Sequence, residues 1–117
     1  VKIETLSPGF SGKASAVSRT DTPVFGRLTQ TIRQSFPAAL IAPSLVLAAT
    51  DSRHYEKLSE NTYRFQPVFL SSEDLDRLHG RDERISVDSY LKMIGFFEQF
   101  LINIQGLDAL SERANIE

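Results

Sequence analysis

Both histidines of the chain, and a dense set of hydroxyl and ionisable groups, fall in three short segments. These are Thr50-Asp51-Ser52-Arg53-His54-Tyr55, Tyr63-Arg64-Phe65-Gln66-Pro67 and Leu78-His79-Gly80-Arg81-Asp82-Glu83-Arg84. An imidazole can ligate a metal ion or move a proton near neutral pH. His79 is followed by Gly80, which lets the backbone turn closely around the ring. Asp82 and Glu83 stand near enough in sequence to accept its second ring N–H, the usual arrangement behind a metal-bound histidine. The other reading of His79 is a loop histidine in a solvated charge run. One histidine does not hold a zinc ion, which takes about three or four protein ligands.

The segment Thr50 to Arg53 offers a different chemistry. Thr50 and Ser52 carry hydroxyl donors, the backbone N–H groups at a helix start favour an anion, and Arg53 can grip a carboxylate with two parallel bonds. Its plainer reading is that Thr50 or Asp51 is only a helix N-cap. His54, beside Tyr55, reads as packed or exposed. Arg64 is expected to pair with a carboxylate such as Asp51.

Composition removes several function classes. The formal net charge of −2 provides no basic field for a phosphate backbone, which argues against nucleic acid. The chain has no cysteine, so disulfide and thiolate chemistry are excluded. A metal must therefore be held by His, Asp or Glu. Absence of cysteine fits a secreted or periplasmic compartment and a cytoplasmic one alike. No run of about 18 apolar residues is present, so no membrane-spanning helix is expected. Glu73, Asp74 and Asp76 lack the spacing of a calcium loop. No phosphate-binding glycine loop and no Gly-x-Ser-x-Gly elbow occurs.

The elements that must position these groups follow from periodicity. With 117 residues and 41% hydrophobic content the chain can bury one core. Val1 to Leu6 alternates like a half-buried strand, and residues 7–20 read as a Ser/Gly loop. Thr22-Pro23 starts a helix, with Phe25, Leu28, Ile32 and Phe36 as its apolar stripe and Pro37 as its stop. Leu45 to Ala49 reads as a strand covered on both faces. A short helix is expected over Asp51 to Leu58, a further strand over Tyr63 to Leu70, and one helical turn over Ser72 to Leu78. Ser86 caps a last helix running to about Gln105, whose stripe is Val87, Tyr90, Leu91, Ile94, Phe97, Leu101 and Ile104, widened by Phe96 and Phe100. The alternation predicts an α/β class, a three-layer-type sheet fragment with packed helices.

The three chemistry-bearing segments together resemble the C-terminal part of the aminoacylase and carboxypeptidase S family of dinuclear zinc metallopeptidases and amidohydrolases. The resemblance runs over about residues 45–104. It implies that residues 1–44 are the end of a lid or dimerisation domain and that residues 45–117 belong to the catalytic domain. It implies two zinc ions in the complete enzyme, with cobalt or manganese as alternatives, and a substrate that is an N-acyl amino acid or a small peptide. His79 matches the family's last metal ligand. Thr50, Asp51, Ser52 and Arg53 match the segment lining the substrate pocket, so that pocket and imidazole are expected to share a cavity. The family's Gly-Gly before Thr-Asp is Ala48-Ala49 here. The His-x-Asp segment, the bridging Asp and the Glu-Glu pair that supplies the base are missing. The expectation is therefore a C-terminal portion of a longer hydrolase, with no catalytic residue of its own, inactive alone and partnered by the remainder of the catalytic domain. A second expectation is a non-catalytic association or dimerisation module, a homodimer among the partnerships open to it, contacting partners through Phe25, Phe36, Phe96 and Phe100.

Overall fold

In the computed structural model, residues 14–48 and 50–105 are described. The order is α1 (Pro23–Ser35), a single 3-10 turn (Asp51–His54), α2 (Ser72–Leu75) and α3 (Val87–Ile104). α1 begins where the sequence requires: the Thr22 hydroxyl accepts the Phe25 N–H at 3.1 Å, and Pro23 fills the first helical position, where no N–H is needed. The helix stops one residue before Phe36, whose N–H still donates to the Ile32 carbonyl at 2.8 Å; Pro37 has no N–H with which to continue it. The Ser86 hydroxyl caps α3 in the same way, accepting from the Ser89 N–H at 3.1 Å.

The expected sheet is absent from the described residues. Among the described residues there is no strand, so the α/β, three-layer-type sheet fragment is corrected to a helical arrangement joined by irregular segments. The expected strand at residues 1–6 lies outside the described residues. Residues 45–48 and 63–70 have strand-like composition, but a strand exists only through hydrogen bonds to a neighbouring backbone, and no described segment supplies one. The first of them is not covered on two faces either: Leu47 is 96% exposed. In the second, the Val68 N–H folds back to the Gln66 carbonyl at 2.9 Å, a local turn in place of a ladder bond.

The core sits between α1 and α3. Leu28 and Ile32 from α1 meet Phe96 from α3, with Phe36, Ile41, Tyr63 and Phe100 packed around them. Phe96 is 1% exposed and is ringed by Phe65, Phe97, Phe36 and Phe100, at centroid distances of 5.2, 5.5, 6.1 and 6.3 Å. A polar clasp closes the same interface. Buried Thr31 donates to the Arg27 carbonyl and accepts from Asn103 Nδ2, each at 2.8 Å. Asn103 Nδ2 also donates to Gln34 Oε1 at 2.7 Å, and Gln99 Nε2 donates to Asn103 Oδ1 at 3.0 Å.

The α1 stripe is the expected one. The α3 stripe is not. Phe96, Phe100 and Asn103, at i, i+4 and i+7, face α1, whereas Val87, Tyr90, Leu91, Ile94, Phe97 and Leu101 are exposed. Because α3 is apolar on more than one side, periodicity alone does not say which side finds a partner. The same finding corrects the association surface: Phe96 is core, and Phe36 and Phe100 pack onto it.

The asymmetry is testable in urea titrations followed by circular dichroism. Phe96→Ala removes about 3–5 kcal/mol, enough to abolish cooperative unfolding of so small a core. In the 117-residue chain, Leu101→Ala, on the exposed side, changes the unfolding free energy by less than about 0.5 kcal/mol.

Candidate functional site

The segment carrying Arg64 is anchored on both sides. Ser18 Oγ donates to the Thr62 carbonyl at 3.0 Å and accepts the Thr62 N–H at 2.7 Å. The Arg19 N–H donates to Asn61 Oδ1 at 2.8 Å. The Tyr63 hydroxyl lies 2.6 Å from both the Arg19 carbonyl and Thr22 Oγ1, and its ring rests against Phe25 at 5.4 Å. On the far side Phe65 packs on Phe96.

Arg64 reaches from this anchored segment to the Thr50 turn. Its Nε donates to Ser52 Oγ at 2.8 Å and to Thr50 Oγ1 at 3.2 Å, and its Nη2 donates to Ser15 Oγ at 3.3 Å. The Thr50 and Ser52 hydroxyls bond to each other. The expected partner Asp51 is not used: among the described residues Arg64 forms no ion pair. Thr50 is the N-cap of the 3-10 turn, with its hydroxyl 3.3 Å from the Ser52 N–H. The capping reading of Thr50 therefore holds, and the same hydroxyl also serves the arginine. The turn is shorter than the helix expected over Asp51 to Leu58. Arg53 and His54 are exposed, and Arg53 Nε donates to His54 Nε2 at 3.3 Å.

A groove of about 1120 Å³ opens beside this turn. Leu28, Ile32 and Leu45 are among its apolar lining, and Thr50, Arg53 and Arg64 are among its polar lining. Its volume exceeds the roughly 300–1,000 Å³ of ordinary small-molecule pockets. Asp51 and Ser52 do not line it, although Ser52 braces Arg64 from outside.

His79 lies elsewhere. It lines neither this groove nor the smaller cavity of about 210 Å³ between Val68–Leu70 and the start of α3. Its φ of 59°, like the 60° of Asp82, is in the left-handed region that few non-glycine residues adopt. Gly80 follows where a Cβ would stand 3.3 Å from the carbonyl oxygens of Asp76 and Arg77, so the turn is tight as well as unusual. Among the described residues neither Asp82 nor Glu83 hydrogen-bonds the His79 ring, and no group of three or more His, Cys, Asp or Glu is placed to hold an ion. The described residues do not make a metal site by themselves.

The turn bearing His79 grows out of α2, which is held by a reciprocal cap that the sequence reading missed. The Ser71 hydroxyl accepts the Asp74 N–H, and the Asp74 carboxylate accepts the Ser71 N–H at 2.9 Å and its hydroxyl at 2.7 Å. The Ser-x-x-Asp spacing was the available signal, an acidic variant of the capping box. The Asp74 carboxyl is held below the ordinary carboxylate range, first by the Ser71 backbone N–H, then by the Ser71 hydroxyl and the charges of Arg77 and Arg84.

The chain is similar to several curated hydrolases. It is 42% identical to the probable carboxypeptidase S-like 2 of Dictyostelium discoideum over 105 residues, which is 90% of this chain and 20% of that protein. It is 34% identical to the N-fatty-acyl-amino acid synthase/hydrolase PM20D1.1 of Danio rerio, over 88% of this chain and 20% of that protein. With the uncharacterized carboxypeptidase C24C9.08 of Schizosaccharomyces pombe it shares 32% identity, over 85% of this chain and 16% of that protein. The chain thus spans about a fifth of the length of the curated relatives it matches. No protein-family model and no solved structure matches it.

The cap sets a pH dependence. A carboxyl whose pKa is depressed on folding contributes stability that is present above its unfolded value, about 3.9, and is lost as pH falls through the folded value. Carboxyl-carbon NMR should therefore place the Asp74 midpoint below about 3.9, with the Ser71 amide shift moving in step. Asp74→Asn should remove that dependence from the Ser71 amide.

Proposed function

Because the chain belongs to the carboxypeptidase S-like family of peptidases and amidohydrolases, over a segment about a fifth of its relatives' length, we propose that it is the C-terminal portion of a metal-dependent hydrolase. That enzyme cleaves the amide bond of N-acyl amino acids or small peptides. The observation that carries the reading beyond similarity is the groove, with aliphatic walls from α1 and Leu45 and with Thr50, Arg53 and Arg64 in its lining. Such a lining suits a substrate with an apolar portion and a carboxylate, which arginine recognises through paired N–H donors. Ala48 also lines the groove. Its methyl group narrows the approach to the backbone relative to glycine.

In this reading residues 1–44 end the lid domain and residues 45–117 belong to the catalytic domain, with α1 resting on α3 across the junction. Thr50, Asp51, Ser52 and Arg53 form or support the substrate pocket. His79 is one metal ligand, most simply to zinc, with cobalt or manganese as alternatives, in a set completed by the remainder of the catalytic domain. The left-handed backbone at His79 and Asp82 supports a turn shaped for a purpose, since such conformations cost energy and persist where surrounding structure enforces them. Bound zinc supplies Lewis acidity and an activated water. What the chain itself contributes is orientation: an apolar wall, a hydroxyl-rich turn and one imidazole.

The apolar surface left open has a natural place in this scheme. Leu40, Leu47, Leu91 and Leu101 are all more than half exposed, and the remainder of the catalytic domain is proposed to cover them. A second reading, a non-catalytic association or dimerisation module, draws on the same surface. It requires this chain to self-associate, so a monomeric mass by light scattering overturns it. No helix among the described residues is long and apolar enough to cross a membrane.

The hydrolase reading is tested on the intact protein that carries this segment. Loaded with zinc, it should release free amino acid from N-acyl amino acids or dipeptides. A chelator should stop the reaction, and His79→Ala should lower kcat/KM by about 10³-fold or more and reduce bound zinc. The 117-residue chain alone should show no turnover. Full activity in the His79→Ala protein with zinc content unchanged would remove the histidine from the metal set.

A further inference from the structure

The Thr50–Arg53 turn has little of its own to hold it in place. None of the residues Asp51–His54 is buried, and its backbone bonds are short-range: Arg53 N–H to the Thr50 carbonyl at 3.3 Å, and Tyr55 N–H to the Ser52 carbonyl at 3.0 Å. Among the described residues, the only hydrogen bonds that reach the turn from outside it come from Arg64. Arg64 is itself flanked by two anchors, Tyr63 on the Arg19 carbonyl and Thr22, and Phe65 on Phe96. The guanidinium is thus the side-chain link from the core to the turn.

We propose that Arg64 is a positioning residue: it fixes the Thr50–Arg53 turn through the Thr50 and Ser52 hydroxyls and so sets how that turn meets substrate in the groove. The proposal takes its substrate, an acyl amino acid or peptide, from the hydrolase reading; its structural half stands apart from it. Arginine suits the role because its planar fork carries five N–H donors in fixed directions. One edge serves the Thr50–Ser52 pair while Nη2 reaches Ser15. A lysine offers a compact ammonium on a flexible stem and does not reproduce that fork. The acceptors are neutral hydroxyls, so the bonds are charge-assisted, and among the described residues no carboxylate pairs with the guanidinium.

Two readouts on the intact protein decide the matter. The first is amide hydrogen exchange at residues 50–55, compared between the unmutated protein and the Arg64→Gln and Arg64→Lys variants. Exchange at Arg53 and Tyr55 should rise about threefold or more in Arg64→Gln, and only partly recover in Arg64→Lys. Exchange across α1 and α3 should be unchanged, which separates a loosened turn from a failure to fold. The second readout is kinetic. Arg64→Gln should raise KM by roughly tenfold with kcat within about twofold, since the lost charge-assisted bonds orient the turn and do no chemistry. Ser52→Ala should raise KM too, and adding it to Arg64→Gln should change little further, because both act through one bond. Unaltered exchange in residues 50–55, or KM effects that multiply in the double variant, would overturn the proposal. If the unmutated protein hydrolyses nothing, the hydrolase reading fails, and the exchange comparison still decides the role of Arg64.

Discussion

The burial of Phe96 is the contact on which the other features rest. Among the described residues it is the one large apolar side chain that is fully enclosed, and it joins three parts of the chain: the end of α1 through Phe36, α3 through Phe97 and Phe100, and residues 63–70 through Phe65. Burying such a ring contributes about 1.5–3 kcal/mol from area alone, with something further from the aromatic geometry. The Thr31–Asn103 bond then helps fix the register of the two helices, because the buried Thr31 hydroxyl is costly to leave misaligned. With Phe65 docked and Tyr63 bonded to the Arg19 carbonyl, Arg64 between them has few places to go.

That core is small for the amount of apolar side chain in the sequence. Leu28, Ile32 and Phe96 are buried, while an entire side of α3 and much of residues 40–47 stay open to solvent. Scattered surface leucines need no explanation, but a contiguous apolar helix face does. A short chain does not have enough surface of its own to cover a helix that is apolar on two sides. The chain spans about a fifth of the length of the relatives it matches, and the remainder of the catalytic domain is what we propose covers this surface.

Local signals were legible in the sequence and long-range ones were not. Thr22-Pro23 and Ser86 marked helix starts because capping is a contact between near neighbours. Pro37 marked a stop because the missing N–H is a property of one residue. Leu28 and Ile32 were legible as the inner face of α1 because that helix has a single apolar stripe. The strands failed because pairing requires a second backbone, which no window of sequence reports. The buried face of α3 failed because two stripes compete and only tertiary structure chooses. In the candidate site, the N-cap role of Thr50 was legible from residue type. That Arg64 would bind hydroxyls in preference to the nearby Asp51 was not, because it depends on where two segments 14 residues apart come to rest.

The choice of hydroxyls over a carboxylate has a consequence for the groove. Had Arg64 paired with Asp51, the two charges would largely cancel, and an incoming anion would meet little net field. Hydroxyl acceptors orient the guanidinium without neutralising it. Two unit charges about 4 Å apart interact by about 4 kcal/mol at an effective dielectric of 20, against about 1 kcal/mol in bulk water. Arg64 is itself exposed, so solvent screening holds it nearer the lower figure, and in the proposed reading its value to a carboxylate lies in being oriented. It also does not have to be organised when the ligand arrives, because the Thr50–Ser52 pair already holds it. Among the described residues the Arg53 side chain, also exposed, hydrogen-bonds only His54. Of the two arginines lining the groove, the one bound to hydroxyls is the better restrained among the described residues.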